Sequence, residues 1–121
     1  MDAKATGPNA IRVELNDIER DHLESGIITA GFTHELFDAA GVRMETTVVD
    51  GTDLLHHTAQ EDGSLALDRS QAVSLQNSLL VAAAAHHLLG NMLGNEKEGS
   101  AHNNTANIYL GLANDIDGAR E

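Results

Sequence analysis

Val13-Glu14-Leu15-Asn16-Asp17-Ile18-Glu19 returns later in the chain as Leu65-Ala66-Leu67-Asp68-Arg69-Ser70-Gln71, and each copy runs into a long, apolar-striped segment. Ile11, Val13 and Leu15 alternate with Arg12 and Glu14, the period of a strand with one buried face. Asn16 and Asp68 then stand where an N-cap is needed. Glu19 and Gln71 follow three residues on, completing capping boxes that satisfy orphan N–H groups of a helix's first turn. The reading is strand, cap, helix, used twice. Carried forward without a gap, the copies keep Leu23 with Leu75, Ala30 with Ala82, His34 with His86 and Leu36 with Leu88 in register. Shared capping grammar accounts for most of these matches without a duplication. It does not account for the two histidines.

At 100° per residue, Leu23, Ile27, Ala30, His34 and Phe37 share a sector, which predicts a helix from the Asn16 cap to Ala40, ended by Gly41. Gly26 and Gly31 inside it each cost about 1 kcal/mol against alanine, so a break or a close helix contact is expected near them. Leu75, Leu79, Ala82, His86, Leu89 and Leu93 predict a second helix running from the Asp68 cap to Leu93. Between the two, 42–49 is rich in Val and Thr and reads as a strand, and Asp50-Gly51-Thr52-Asp53 as a turn. Residues 54–60 read as a return strand, and Glu61-Asp62-Gly63-Ser64 as the turn into a strand at 65–67. A loop over 94–103 and a shorter helix over 105–116, carrying Ile108, Leu112 and Ile116, complete the pattern. The expected architecture is a single α+β domain over 11–116 in the order β-α-β-β-β-α-α. In it a small antiparallel or mixed sheet is covered by two long helices plus a short C-terminal helix. Residues 1–10 are expected as a mobile arm and 117–121 as a frayed tail.

Composition narrows the partners. Nineteen acidic residues against seven basic ones give a net charge of -12, which disfavours phosphate backbones and anionic lipid. Phe32, Phe37 and Tyr109 are the only aromatics, leaving little for base stacking. Nucleic acid and membrane are therefore not expected as partners. There is no cysteine, which excludes disulfides and thiolate metal sites. Lysine occurs only at Lys4 and Lys97, while Asp, Glu, Ala, Gly and Thr are plentiful, a bias that resembles the proteins of a salt-adapted organism. Met1 to Ala10 is polar and holds the only proline, Pro8, so no cleaved secretion signal is expected. The apolar run Leu79 to Ala85, broken by His86 and His87, falls far short of the roughly 20 residues that span a bilayer.

No GxSxG, glycine-rich phosphate loop, GKS or GKT motif is present, and His34-Glu35 does not continue into HExxH because Asp38 stands where the second histidine would be. An enzyme is not expected. The candidate site is the histidine pair: His34 and His86 each sit centrally on an apolar stripe. If their helices pack side by side the imidazoles meet in a largely apolar interface. The ordinary solution is a neutral histidine hydrogen-bonded to backbone or hydroxyl. A divalent metal held by His34, His86 and His57 is the alternative, further ligands being sought from His56, Glu35 or His102; otherwise no cofactor is expected. Residues 54 to 61 would have to be helical for His57 and Glu61 to act as a pair.

The helix over 69–93 is apolar around much of its circumference, since Leu80, Val81, Ala84 and Met92 add to its main stripe. A helix apolar on several sides is buried on several sides. Either the C-terminal helix or a second subunit covers that surface, and a homo-oligomer contact through Leu80, Val81, Ala84 and Met92 is the favoured expectation. The leading functional expectation is a non-enzymatic structural or interaction subunit, in the cytoplasm of a salt-adapted cell or in a virion infecting one. A ligand or metal module centred on His34 and His86 is the rival. An acidic inhibitor mimicking nucleic acid comes last, because the carboxylates are spread through every segment rather than gathered on one ridge.

Overall fold

The computed structural model describes residues 1–41, 51–93 and 96–120. In it both capping boxes form. Asn16 Oδ1 accepts the Glu19 N–H at 2.8 Å while Glu19 Oε1 accepts the Asn16 N–H at 2.9 Å, and helix α1 runs from there over Asp17–Ala39. Asp68 Oδ1 accepts the Gln71 N–H at 2.7 Å, Gln71 Oε1 accepts the Asp68 N–H at 2.9 Å, and helix α3 spans Arg69–Leu93. Each helix follows its own strand, β2 (Ala10–Glu14) before α1 and β3 (Leu65–Leu67) before α3. The two strands pair antiparallel, with Ile11 opposite Leu67 and Val13 opposite Leu65. All four of these side chains are buried. Of the equivalent positions in the two quoted stretches, Val13 and Leu65 are direct partners across this ladder.

The third strand lies where a mobile arm was expected. Asp2–Gly7 forms β1, antiparallel to β2 at the edge of a sheet ordered β1-β2-β3, with a register shift between Ala5 and Gly7. Its residues are polar or small, so no apolar alternation announces it. The unpaired edge of β2 supplies the hydrogen bonds that hold it. Arg69 secures the connecting turn: its Nε donates to the Pro8 carbonyl at 2.7 Å and its backbone N–H to Asn9 Oδ1 at 3.1 Å.

Two further expectations are corrected. Residues 54–60 do not form a return strand: α2 covers Gly51–Thr58, and only Ala59 makes an isolated bridge to Leu65. Leu54, Leu55 and Thr58 fall at helical spacing on the side that meets the core, and the Thr58 hydroxyl donates to the Leu54 carbonyl at 2.7 Å. The expected turn at 50–53 is likewise helical from Gly51 onward. The strand expected over 42–49 lies outside the described residues. The turn at 61–64 is present: Gly63 adopts φ +86, its N–H donates to the Gln60 carbonyl, and Asp62 Oδ1 accepts both the N–H and the hydroxyl of Ser64. Those two bonds, together with Arg12, hold the Asp62 carboxyl down to a pKa of about 2.

The C-terminal helix is not short. Helix α4 covers Glu96–Arg120, including most of the expected loop and all but the last residue of the expected frayed tail. Its end is held by side chains. The Arg120 carbonyl accepts from Arg69 Nη1 at 2.6 Å, the Arg120 guanidinium donates to Gln76, and Gln76 Nε2 donates to Asp117 at 3.3 Å. The result is an α+β architecture in which a three-stranded antiparallel sheet packs against long helices, with α3 in the middle, touching α1, α4, α2, β2 and β3. Ala72, Leu75, Leu79 and Ala82 of α3 are buried against a core that also takes Leu23, Ile27 and Ala30 of α1 and Ala106, Tyr109, Ala113 and Ile116 of α4. Glycine sets how close the helices come. A Cβ on Gly26 would lie 3.0 Å from Leu79 and 3.2 Å from the Tyr109 ring, and one on Gly90 would lie 3.0 Å from the Gly99 carbonyl oxygen. None of the described helices is long and apolar enough to cross a membrane.

Candidate functional site

Helices α3 and α4 form an antiparallel hairpin, so residues equidistant from 94–95 meet. Gly90 lies against Gly99, and one turn further in His86 faces His102. The two Nδ1 atoms are 2.9 Å apart, with ring centroids at 5.2 Å and planes tilted by 30°. A hydrogen bond between like atoms fixes the tautomers: one ring carries its proton on Nδ1 and donates, while the other accepts at Nδ1. Beside this pair the Tyr109 ring lies 5.6 Å from His86, and its hydroxyl shares a hydrogen bond of 2.8 Å with Ser25 on α1. On the neighbouring position His87 Nδ1 sits 3.2 Å from Asn103 Oδ1. Two successive residues of α3 thus pair with two successive residues of α4.

His86 is half-buried, and its pKa is lowered from the ordinary histidine value, first by burial, which disfavours the charged ring, and then by repulsion from His102. Among the described residues no buried side-chain polar atom lacks a hydrogen-bond partner. His86 therefore takes the ordinary solution for a histidine on an apolar stripe, though with a second imidazole in place of a backbone or hydroxyl group.

The anticipated meeting of His34 with His86 is replaced by this contact. His34 is partly exposed on α1, beyond Ala30, the last buried residue of that helix. The side chain of His57 lies outside the described residues, and His56 is exposed on α2. Among the described residues, no three histidines, aspartates or glutamates converge as a metal ligand set would. His102 was a candidate ligand in the sequence, but its place opposite His86, and that of Asn103 opposite His87, were hidden by reading 94–103 as a loop. Once that stretch is helical, counting outward from 94–95 places them.

Two other surfaces complete the inventory. A groove of about 330 Å³ is lined by Leu15, Ile27, Leu55 and Leu65, with Arg20 and His56 also on its wall. Neither His34 nor His86 lines it, and the Arg20 guanidinium is engaged with the Gly63 carbonyl. The larger feature is apolar and outward-facing. On α1, Ile28, Phe32 and Leu36 are 62%, 65% and 62% exposed, at intervals of four that place them on one face. On α3, Leu80, Ala84, Leu88 and Met92 follow the same interval and are all exposed, Met92 at 72%. Val81, expected on this surface, is instead 8% exposed and belongs to the core. Of the four residues that sequence reading assigned to a contact with another subunit, Val81 is thus buried within the chain while Leu80, Ala84 and Met92 stay exposed.

Compared with protein-family models, curated proteins and solved structures, the chain matches none of them.

Proposed function

We propose that the chain is a non-catalytic structural or interaction subunit that assembles with copies of itself through the uncovered apolar stripes of α1 and α3. The observation that supports this reading is the exposure of Ile28, Phe32 and Leu36 on successive turns of one helix in a protein carrying a net charge of -12. Large side chains left in water forgo about 1.5–3 kcal/mol each that full covering would return. Isolated exposed apolar residues are common, but aligned ones mark association surfaces. Leu80, Ala84 and Met92 give α3 a stripe of the same kind. The setting that suits this composition is the cytoplasm of a salt-adapted cell, or a virion assembled in one. Sedimentation velocity at micromolar concentration tests the reading. The wild-type chain is expected to sediment as an assembly, and Phe32→Glu with Leu36→Glu to shift it to the monomer without loss of helical signal. A monodisperse wild-type monomer at working salt refutes it.

A further inference from the structure

The His86–His102 contact closes the hairpin one turn inside the Gly90–Gly99 approach, and it is made between two groups that both titrate. A neutral pair shares one proton between the two Nδ1 atoms. A singly protonated pair keeps that bond and strengthens it by charge. A doubly protonated pair cannot keep it, because both Nδ1 atoms then carry protons and two cations stand at the same short distance. We propose that this contact is an acid-released latch on the turn end of the α3–α4 hairpin, held while the pair carries at most one extra proton and opened by the second.

The surroundings support release rather than compensation. Among the residues of α4 whose side chains are described, His102 and Tyr109 face His86, and the Tyr109 hydroxyl is engaged with Ser25. On its own helix, His87 is turned to Asn103. Among the described residues, the influences that shift His86 are burial and His102, and both oppose its charging. The lowered pKa of folded His86 sets the sign. The unfolded or opened state binds more protons in the window just below the ordinary histidine value of about 6.5. Closure is therefore fully favoured above that value and weakens as pH falls through the window. Opening frees the segment that carries the exposed Leu88 and Met92. The latch does not depend on the assembly reading, because it acts within one chain.

Proton NMR of the histidine rings between pH 8 and 4, in the presence of EDTA and at a concentration where the chain is a monomer, tests the coupling. His86 is expected to titrate below the ordinary histidine value, in a step coupled to the charge on the ring it faces. His102→Asn is expected to raise the His86 midpoint and leave a single step. Native-state hydrogen exchange reads the opening. Corrected for intrinsic rates, exchange at amides 86–93 and 96–103 is expected to rise by up to about tenfold per pH unit as pH falls from the ordinary histidine value to the His86 midpoint and to level off below it, while Leu75 and Ala113 stay protected. Independent titration of the two rings at ordinary values overturns the proposal. So does exchange that rises equally at Leu75 and Ala113, since that is global unfolding. The wild-type readings decide the matter even where His102→Asn fails to fold.

Discussion

Gly26 and Gly31 lie five residues apart in the same helix and serve it in opposite ways. At Gly26 a Cβ would press on Leu79 and the Tyr109 ring at 3.0 and 3.2 Å, whereas at Gly31 nothing stands within 4 Å. Both positions are helical, so alanine gains about 1 kcal/mol of propensity at either site. At Gly26 that gain is outweighed by overpacking against a fully buried tyrosine, which costs about 1–3 kcal/mol. Thermal melts should therefore show Gly31→Ala raising Tm by a few degrees and Gly26→Ala lowering it. Equal shifts of the two variants would mean that the close approach of α1 to α3 and α4 is wrong. From sequence alone the two glycines were indistinguishable, since a close contact is a property of the neighbour and not of the helix that carries the glycine.

At the scale of elements, the two capping boxes are the parts most fully readable in advance. Their hydrogen bonds join residues three apart, and no distant group takes part in them. Asn16→Ala and Asp68→Ala should each cost about 1 kcal/mol, measured as a lower midpoint in urea with an unchanged slope. A loss at one cap and none at the other would show that the two strand–helix units are not equivalent in energy. The errors fell on elements with weak local signals. β1 has no apolar face to declare it and exists through its pairing with β2. Helix α2 was read as a strand because Leu54 and Leu55 suit either structure until the position of the core is known. The first residues of α4 are Gly-, Asn- and charge-rich, and they are helical alongside α3, to which tertiary packing lends more than propensity does.

For the whole molecule, charge and apolar surface work against each other. Each copy carries -12, so bringing copies together is opposed by repulsion that reaches about 10 Å at 0.1 M salt and only about 3 Å at 1 M. The apolar attraction between the stripes of α1 and α3 is not screened in this way, and salting-out anions strengthen it. Light scattering across that range should show assembly favoured at high salt and reversed on dilution into low salt. Assembly that is strongest at low salt would point to ion pairs between copies and away from the apolar stripes. The same experiment asks whether the acidic composition belongs to a salt-adapted protein, because a fold suited to salt should also gain thermal stability along that series.

The strand–cap–helix units, the turn at Gly63 and the ends of α1 and α3 were determined by the sequence itself. Each rests on side-chain period, on a cap three residues away or on a glycine at positive φ, all of which are local. The strand order, the place of β1, the identity of α2 and the length of α4 were decided only by tertiary structure. So was the partner of His86. That histidine stands out in the sequence by its place on an apolar stripe. Which imidazole would meet it depended on α4 folding back along α3, a non-local pairing that no spacing within either helix encodes. The division between Val81 inside and Leu80 outside has the same origin, because burial is set by where the neighbouring helix lies.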